Sequence, residues 1–362
     1  MSENKLFEKI QFGSFTASNR IAMAPMTRCR AIGNMPNQLI STFYEQRADA
    51  GLLITEGVSP SPNGLGYARI PGLFNQEQAN AWKQVTNAVH QKEGKIFVQL
   101  MHSGRVGSKF NLPSGAKLVA PSAVKCGGQM WTDSNGMVDM DEPNELTLNE
   151  LLETKAEYVN ASKLAIQAGF DGVELHAANG YLLEQFLSPH TNLRTDAYGG
   201  SIENRCRFVL ETAQEVADAI GKDRTAIRLS PYGVNSSMQA YPEIDETYTF
   251  LASKLNELGI IYIHLVDHSA MGAPEVPVSI KRAIRNSFTN ILILSGGYDS
   301  ERAAEDIAAG HADMIAFGRP FINNPDLVYR FKNHFPLNKT LDTNTFYSAG
   351  PEGYIDYPAY EG

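Results

Sequence analysis

Hydrophobic and polar positions alternate along this chain on two length scales. Short apolar or β-branched runs recur between longer stretches whose apolar residues return every three or four positions, the mark of strands alternating with amphipathic helices. Eight runs read as strands: Ile21 to Pro25, Leu52 to Glu56, Lys95 to Leu100, Gly172 to His176, Ala226 to Ser230, Ile260 to Leu265, Ile291 to Ser295 and Met314 to Gly318. Thr147-x-x-Glu150 reads as a helix capping box. Ile202, Cys206, Val209, Ala213, Val216 and Ile220 form one apolar helical stripe. Gly51, Gly94, Gly169, Gly221, Gly259 and Gly310 each stand just before a strand, where glycine ends a helix by taking the left-handed conformation.

Strands too apolar to face water, each preceded by a helix, imply a parallel sheet covered by helices. Eight of them predict a closed (β/α)8 barrel over residues 1–362 as one domain. The alternative, an open doubly wound sheet, lacks its Gly-x-Gly-x-x-Gly fingerprint here. Two segments break the repeat. Lys9 to Arg20 alternates around Gly13-Ser14 and reads as a hairpin plugging the N-terminal end of the barrel. Met101 to Leu146, rich in Gly, Pro, Ser and Asn, reads as a lid or subdomain on the catalytic rim.

Composition narrows the partners. With 43% hydrophobic and 20% charged residues the chain packs as an ordinary globular protein. A net charge of −9, with no basic block interleaved with aromatics, gives nucleic acid no electrostatic footprint. No apolar run approaches the roughly 18 to 20 residues of a membrane span, and Met1 to Lys5 lacks the features of a secretory leader. Cys29, Cys126 and Cys206 are odd in number and far apart, which fits a reducing cytoplasm.

In a barrel of this kind, polar residues at the C-terminal ends of strands carry the chemistry. Those ends hold Thr27, Glu56-Gly57, Gln99 and His102, His176 and Asn179, Arg228, Ser295-Gly296-Gly297, and Gly318-Arg319. Glycine turns after the seventh and eighth strands, with Arg319 beside them, predict a phosphate cradle. Arg228, inside an apolar strand, needs either a structural carboxylate or an anionic ligand. His176-Ala-Ala-Asn179-Gly-Tyr181 puts two hydrogen-bond donors and a phenol within six positions, enough to hold a substrate oxygen and deliver a proton. His264, Asp267 and His268 lack a third ligand of recognised metal spacing, so no metal is expected. The stretch from Asp196 to Arg205 reads as turn structure leading into a helix.

These residues are recognisable together. Asn19-Arg20-Ile-Ala-Met-Ala-Pro-Met-Thr-Arg28, Gln99-Leu-Met-His-Ser-Gly-Arg105, Val119-Ala-Pro-Ser122, Gly169 through Leu187, Asn192, Tyr198 through Arg205, Phe317-Gly-Arg-Pro-Phe321, Phe346-Tyr347 and Tyr354-x-Asp-Tyr-Pro358 run from end to end. By them the chain resembles the old yellow enzyme family of FMN-dependent ene-reductases over about residues 5 to 360.

The resemblance implies noncovalent FMN, with NADPH or NADH as transient hydride donor and electron-poor alkenes as substrates, in a monomer or homodimer. It places Ala24, Pro25, Met26, Thr27, Gly57 and Gln99 on the flavin ring, Thr27 donating to its O4, and Arg228 beside N1 and O2. Ser295, Gly296, Gly297, Gly318 and Arg319 would hold the phosphate. His176 and Asn179 would bind the substrate oxygen, Tyr181 would donate the proton, and Tyr67, Met101 and Tyr347 would line the pocket. Met101 stands where many relatives carry tryptophan, and Thr27 where some carry cysteine. Two other functions compete: a phosphate-binding barrel lyase or isomerase, and a noncatalytic flavin carrier.

Overall fold

The computed structural model describes residues 4–361, so Met1 to Glu3, where the leader reading begins, and Gly362 lie outside it. Eight parallel strands close into a barrel. In chain order they are Ile21–Met23, Leu52–Val58, Ile96–Leu100, Gly172–Ala177, Thr225–Leu229, Tyr262–Val266, Ile291–Ser295 and Met314–Phe317, called strands 1 to 8 below. Each falls on one of the expected runs, with ends shifted by up to two residues. Strand 2 runs furthest past its expected end, carrying a register shift between Ile54 and Gly57 against strand 3.

Every strand is buried on both faces, and period-two alternation divides the residues between them. Outward positions such as Val173, Leu175, Ile227, Leu229, Ile263 and Leu265 join the large apolar layer beneath the helices. Inward positions change character along the axis. Near the N-terminal end they are Phe97, Ala226 and Tyr262; toward the C-terminal end they are Gln99, Glu174, His176, Arg228 and His264.

The N-terminal hairpin pairs Ile10–Phe12 with Phe15–Ala17. Phe12 packs edge-on to Phe97 (ring centroids 5.8 Å apart) and tilted against Tyr262 (5.5 Å), so the barrel floor is closed by rings. The expected capping box is present, Thr147 Oγ1 accepting from Glu150 N while Glu150 accepts from Thr147 N. The helix Ile202–Ile220 buries Cys206, Val209, Ala213 and Val216 as the stripe requires.

The six glycines before strands split into two groups. Gly169, Gly221, Gly259 and Gly310 take positive φ and end helices as expected. Gly51 and Gly94 do not, which corrects the reading of both. A side chain at Gly51 would collide with Asn19 O at 2.1 Å, and one at Gly94 with Ala48 O at 2.8 Å. These two are glycine because another backbone segment passes against them, and at the second site the left-handed residue is Glu93 (φ 61°).

The insertion after strand 3 stands on the rim as expected. Val119–Ala120 pairs with Asn144–Glu145, and an antiparallel rim hairpin pairs Gln129–Thr132 with Gly136–Asp139. No helix among the described residues is long and apolar enough to cross a membrane.

Candidate active site

The C-terminal end of the barrel opens into a cavity of about 1180 Å³. Ala24, Pro25, Met26, Thr27, Tyr67, Gln99, Met101, His176, Asn179, Tyr181, Arg228, Ser295, Gly296, Gly297, Gly318, Arg319 and Tyr347 all line it. Gly57 does not. A side chain there would collide with Met101, which does line the cavity, so the glycine makes room for the thioether. Tyr347 lies at the mouth, 61% exposed.

Below the cavity a hydrogen-bonded chain crosses the barrel. Gln99 Nε2 donates to Glu174 Oε1 (2.7 Å), leaving its own carbonyl oxygen as the free end. Glu174 Oε2 lies 3.0 Å from His264 Nδ1, and His264 Nε2 lies 3.0 Å from Ser295 Oγ. Burial holds His264 below its usual range despite the carboxylate. As a neutral ring it donates Nδ1–H to Glu174 and accepts from the Ser295 hydroxyl. Burial pushes the Glu174 carboxyl upward, yet His264, Arg228 and Gln99 more than offset it and keep Glu174 ionised. His264 is thus a link in this chain, with both ring nitrogens engaged.

The two readings left open for Arg228 meet here. Glu174 is the carboxylate that supports its charge, yet the buried guanidinium makes no hydrogen bond to the protein and its Nε has no partner. Removing a guanidinium from water without hydrogen bonds is costly, so its donors point to a ligand in the cavity.

The His-x-x-Asn-x-Tyr segment is folded by its own sequence. Asn179 (φ 60°) and Gly180 (φ 80°) both sit in the left-handed region, which Asn and Gly tolerate best. The turn is pinned from strand 5 and its loop: Asn179 N donates to Ser230 Oγ (2.8 Å), and Ser236 Oγ donates to Asn179 O (3.0 Å). Glu184 accepts from Gly180 N, Ser230 Oγ and Tyr248 Oη, although burial still pushes its carboxyl up to about 7.

His176 is buried with Nδ1 unpartnered, and burial together with Arg228 holds it well below its usual range, hence neutral. Its ring meets Tyr181 edge-on at 4.9 Å. Tyr181 Oη lies 3.0 Å from Tyr67 Oη. Burial pushes the Tyr181 phenol up to about 12, while the bond from Tyr67 pulls it down.

The phosphate end also fits its expected ligand. Gly296, Gly297 and Gly318 donate their N–H groups to no other backbone atom, and Arg319 makes no hydrogen bond. A Cβ at Gly296 would strike Asp267 O at 2.1 Å, so backbone alone can form that wall. A diffuse set of amide donors beside an arginine suits a phosphate, and the unpartnered Arg228 and Thr27 suit the polar edge of a flavin.

Several wall residues carry no sequence signal of their own. Gln129, Met130, Trp131, Met137 and Met140 reach the cavity from the rim insertion, with Trp131 and Met137 about half exposed. Asn235 and His268 come from loops after strands 5 and 6. Phe346 and Tyr347 are brought in by a clamp: Arg28 donates to Phe346 O and Gly353 O, and Arg30 to Thr345 O, Phe346 O and Glu352 O. The stretch from Asp196 to Arg205 is turn structure, as read: Arg194 pairs with Asp196, and Ser201 caps the following helix.

A model of the NADH:flavin oxidoreductase / NADH oxidase family matches residues 5–338. 12-Oxophytodienoate reductase 7 of Oryza sativa subsp. japonica is 38% identical over 373 residues, covering 98% of this chain and 94% of that protein. Among solved structures, morphinone reductase superposes with a TM-score of 0.94 at 40% identity, covering 98% of this chain and 96% of its own. Its complex with tetrahydroNAD gives 0.93 at 40% identity and 98% coverage of both chains. An old yellow enzyme homologue from Zymomonas mobilis gives 0.93 at 39% identity, covering 98% and 99%. Matched in sequence and in fold over nearly its whole length, the chain belongs to the NADH:flavin oxidoreductase / NADH oxidase family, the old yellow enzyme family.

Proposed function

We propose a division of labour among this chain's residues for the reaction of its family, the FMN-dependent transfer of hydride from NADH or NADPH to the C=C bond of an α,β-unsaturated carbonyl or nitro compound. FMN, when bound, would supply the two-electron redox chemistry that links nicotinamide to alkene. The side chains do the rest. His176, neutral and unpartnered, and the Asn179 carboxamide hold the activating oxygen of the substrate, where negative charge grows as hydride reaches the β carbon.

Tyr181 keeps its proton at neutral pH and gives it to the α carbon, a developing carbanion far more basic than a phenolate. Tyr67 donates to Tyr181 Oη and stabilises the phenolate left behind, which solvent then reprotonates. The net change is one hydride and one proton added across the double bond, with the nicotinamide oxidised. Arg228 offers its free donors to the flavin edge, Thr27 its hydroxyl, and the amides of Gly296, Gly297 and Gly318 with Arg319 take the phosphate. Residues 1–362 act as one barrel with 101–146 as its rim, in a reducing cytoplasm, a location supported by three free cysteines.

The observation that carries this reading is the meeting of His176, Asn179 and Tyr181 in one cavity with the unpartnered Arg228 and the glycine turns beside Arg319. The test is direct. Purified yellow protein, bleached by NADPH or NADH without oxygen, should regain its colour on adding one equivalent of 2-cyclohexenone and yield cyclohexanone. A flavin that nicotinamide bleaches but no enone or nitroalkene restores would reject the reading.

A further inference from the structure

The Asn179 carboxamide has two ends of opposite character, and only the Nδ2 end can donate to a substrate oxygen. The main-chain bonds to Ser230 and Ser236 fix the backbone of Asn179 and leave the rotation of its amide open. The contact that decides it comes from the loop after strand 6. His268 Nε2 lies 2.7 Å from Asn179 Oδ1, and Asn235 Nδ2 lies 3.5 Å from the same atom. An amide nitrogen in that place would face another amide nitrogen, so oxygen is the end that suits both neighbours.

We propose that His268 is a positioning residue: its Nε2–H donates to Asn179 Oδ1 and thereby turns the Nδ2 donor toward the substrate oxygen. This rests on the reading of Asn179 as an oxygen holder. The loop is built to deliver the imidazole. Asp267 N donates to Ser295 O (2.8 Å), and the Asp267 carboxylate takes Ser269 N (2.9 Å) and Lys281 Nζ (2.7 Å). Met271 N then donates to His268 O at 2.8 Å. Burial and the nearby Arg228 hold His268 down at about 4, so at neutral pH the ring carries a single hydrogen. Donation to Asn179 places that hydrogen on Nε2 and leaves Nδ1 as the bare nitrogen.

The holoenzyme tests this with 2-cyclohexenone as probe. His268→Ala should lower kcat/KM about five- to tenfold, the range of one neutral hydrogen bond, mostly through KM and with FMN content unchanged. His268→Gln, which can present an N–H to the same oxygen, should recover most of the loss. His268→Glu can only accept when ionised, so it should turn the amide around and fall below the alanine variant. In an Asn179→Ala background, His268→Ala should cost almost nothing more. Equal losses in both backgrounds, or a glutamine variant no better than alanine, would overturn the positioning role. Should Asn179→Ala itself leave kcat/KM unchanged, the oxygen-holder reading falls and this proposal with it. An impaired Asn179→Ala beside an unimpaired His268→Ala removes the positioning role alone.

Discussion

The two ends of this barrel are made from the same eight strands and behave as opposites. At the N-terminal end Phe12, Phe15, Phe97 and Tyr262 form five stacked, tilted or edge-on ring pairs with centroids 5.1 to 6.4 Å apart, an aromatic plug. At the C-terminal end the same inward rows present Gln99, His176 and Arg228 to a large cavity, with donors left unpartnered. The difference teaches where each kind of energy resides. The floor supplies packing and no chemistry, while the open end forgoes packing to keep donors free for a ligand. Substitutions at the two ends should therefore separate cleanly, one set moving stability and the other moving rates.

The largest effect belongs to the open end. Tyr181→Phe should slow reoxidation of the reduced enzyme by 2-cyclohexenone by roughly 10² to 10⁴, the usual range for a general acid. Reduction by NADPH should stay near wild type, since Tyr181 has no proton to move in that half. Stopped-flow traces of each half-reaction read this, and equal slowing of both would remove the assignment. The floor gives the converse. Phe12→Ala should cost about 3 to 5 kcal/mol of stability, read by urea unfolding, with kcat and KM of the folded enzyme unchanged. A changed KM would mean that the ends are coupled.

A smaller effect sharpens the polar end. The Thr27 hydroxyl lines the cavity without a protein partner, and a donor at the flavin edge favours the reduced state. Loss of one hydrogen bond of about 1 kcal/mol in Thr27→Ala should lower the two-electron potential by roughly 20 mV, slowing reduction and speeding reoxidation. Spectroelectrochemical titration decides between that shift and an unchanged potential. The smallest expected effect is none. Burial holds His176 far below its usual range and Tyr181 at about 12. Acidification charges the imidazole only well below pH 6.5, and alkali removes the phenol proton only near 12. Neither group should accordingly put a break in the enone half-reaction between pH 6.5 and about 10, and a break near neutrality in stopped-flow rates that persists in Glu184→Gln, which removes the carboxyl of this turn that titrates at about 7, would contradict both protonation states.

Much of this contrast was legible in the residues. Buried runs mark the eight strands, and His176, Asn179 and Tyr181 within six positions mark a candidate site, whereas the left-handed turn at Asn179-Gly180 that folds this segment is a finding of the structure. What escaped depends on distant partners. Gly51 and Gly94 look like helix stops until Asn19 and Ala48 pass against them. Glu174 and His264, 90 positions apart, become a pair only once strands 4 to 6 lie side by side. The resemblance puts Gly57 on the flavin ring, yet it is absent from the cavity lining and packs against Met101. The Arg28 and Arg30 clamp reaches some 320 positions to carbonyl oxygens, which leave no trace in side-chain patterns.

One steady-state experiment bears on the central claim, that a single cavity serves nicotinamide and alkene in turn. No dinucleotide fingerprint follows any strand, and His176 and Asn179, the proposed oxygen holders, line one cavity. Initial velocities measured across a grid of NADPH and 2-cyclohexenone concentrations should give parallel double-reciprocal lines, the mark of ping-pong turnover. Intersecting lines would mean that both ligands are held at once, and would contradict the account.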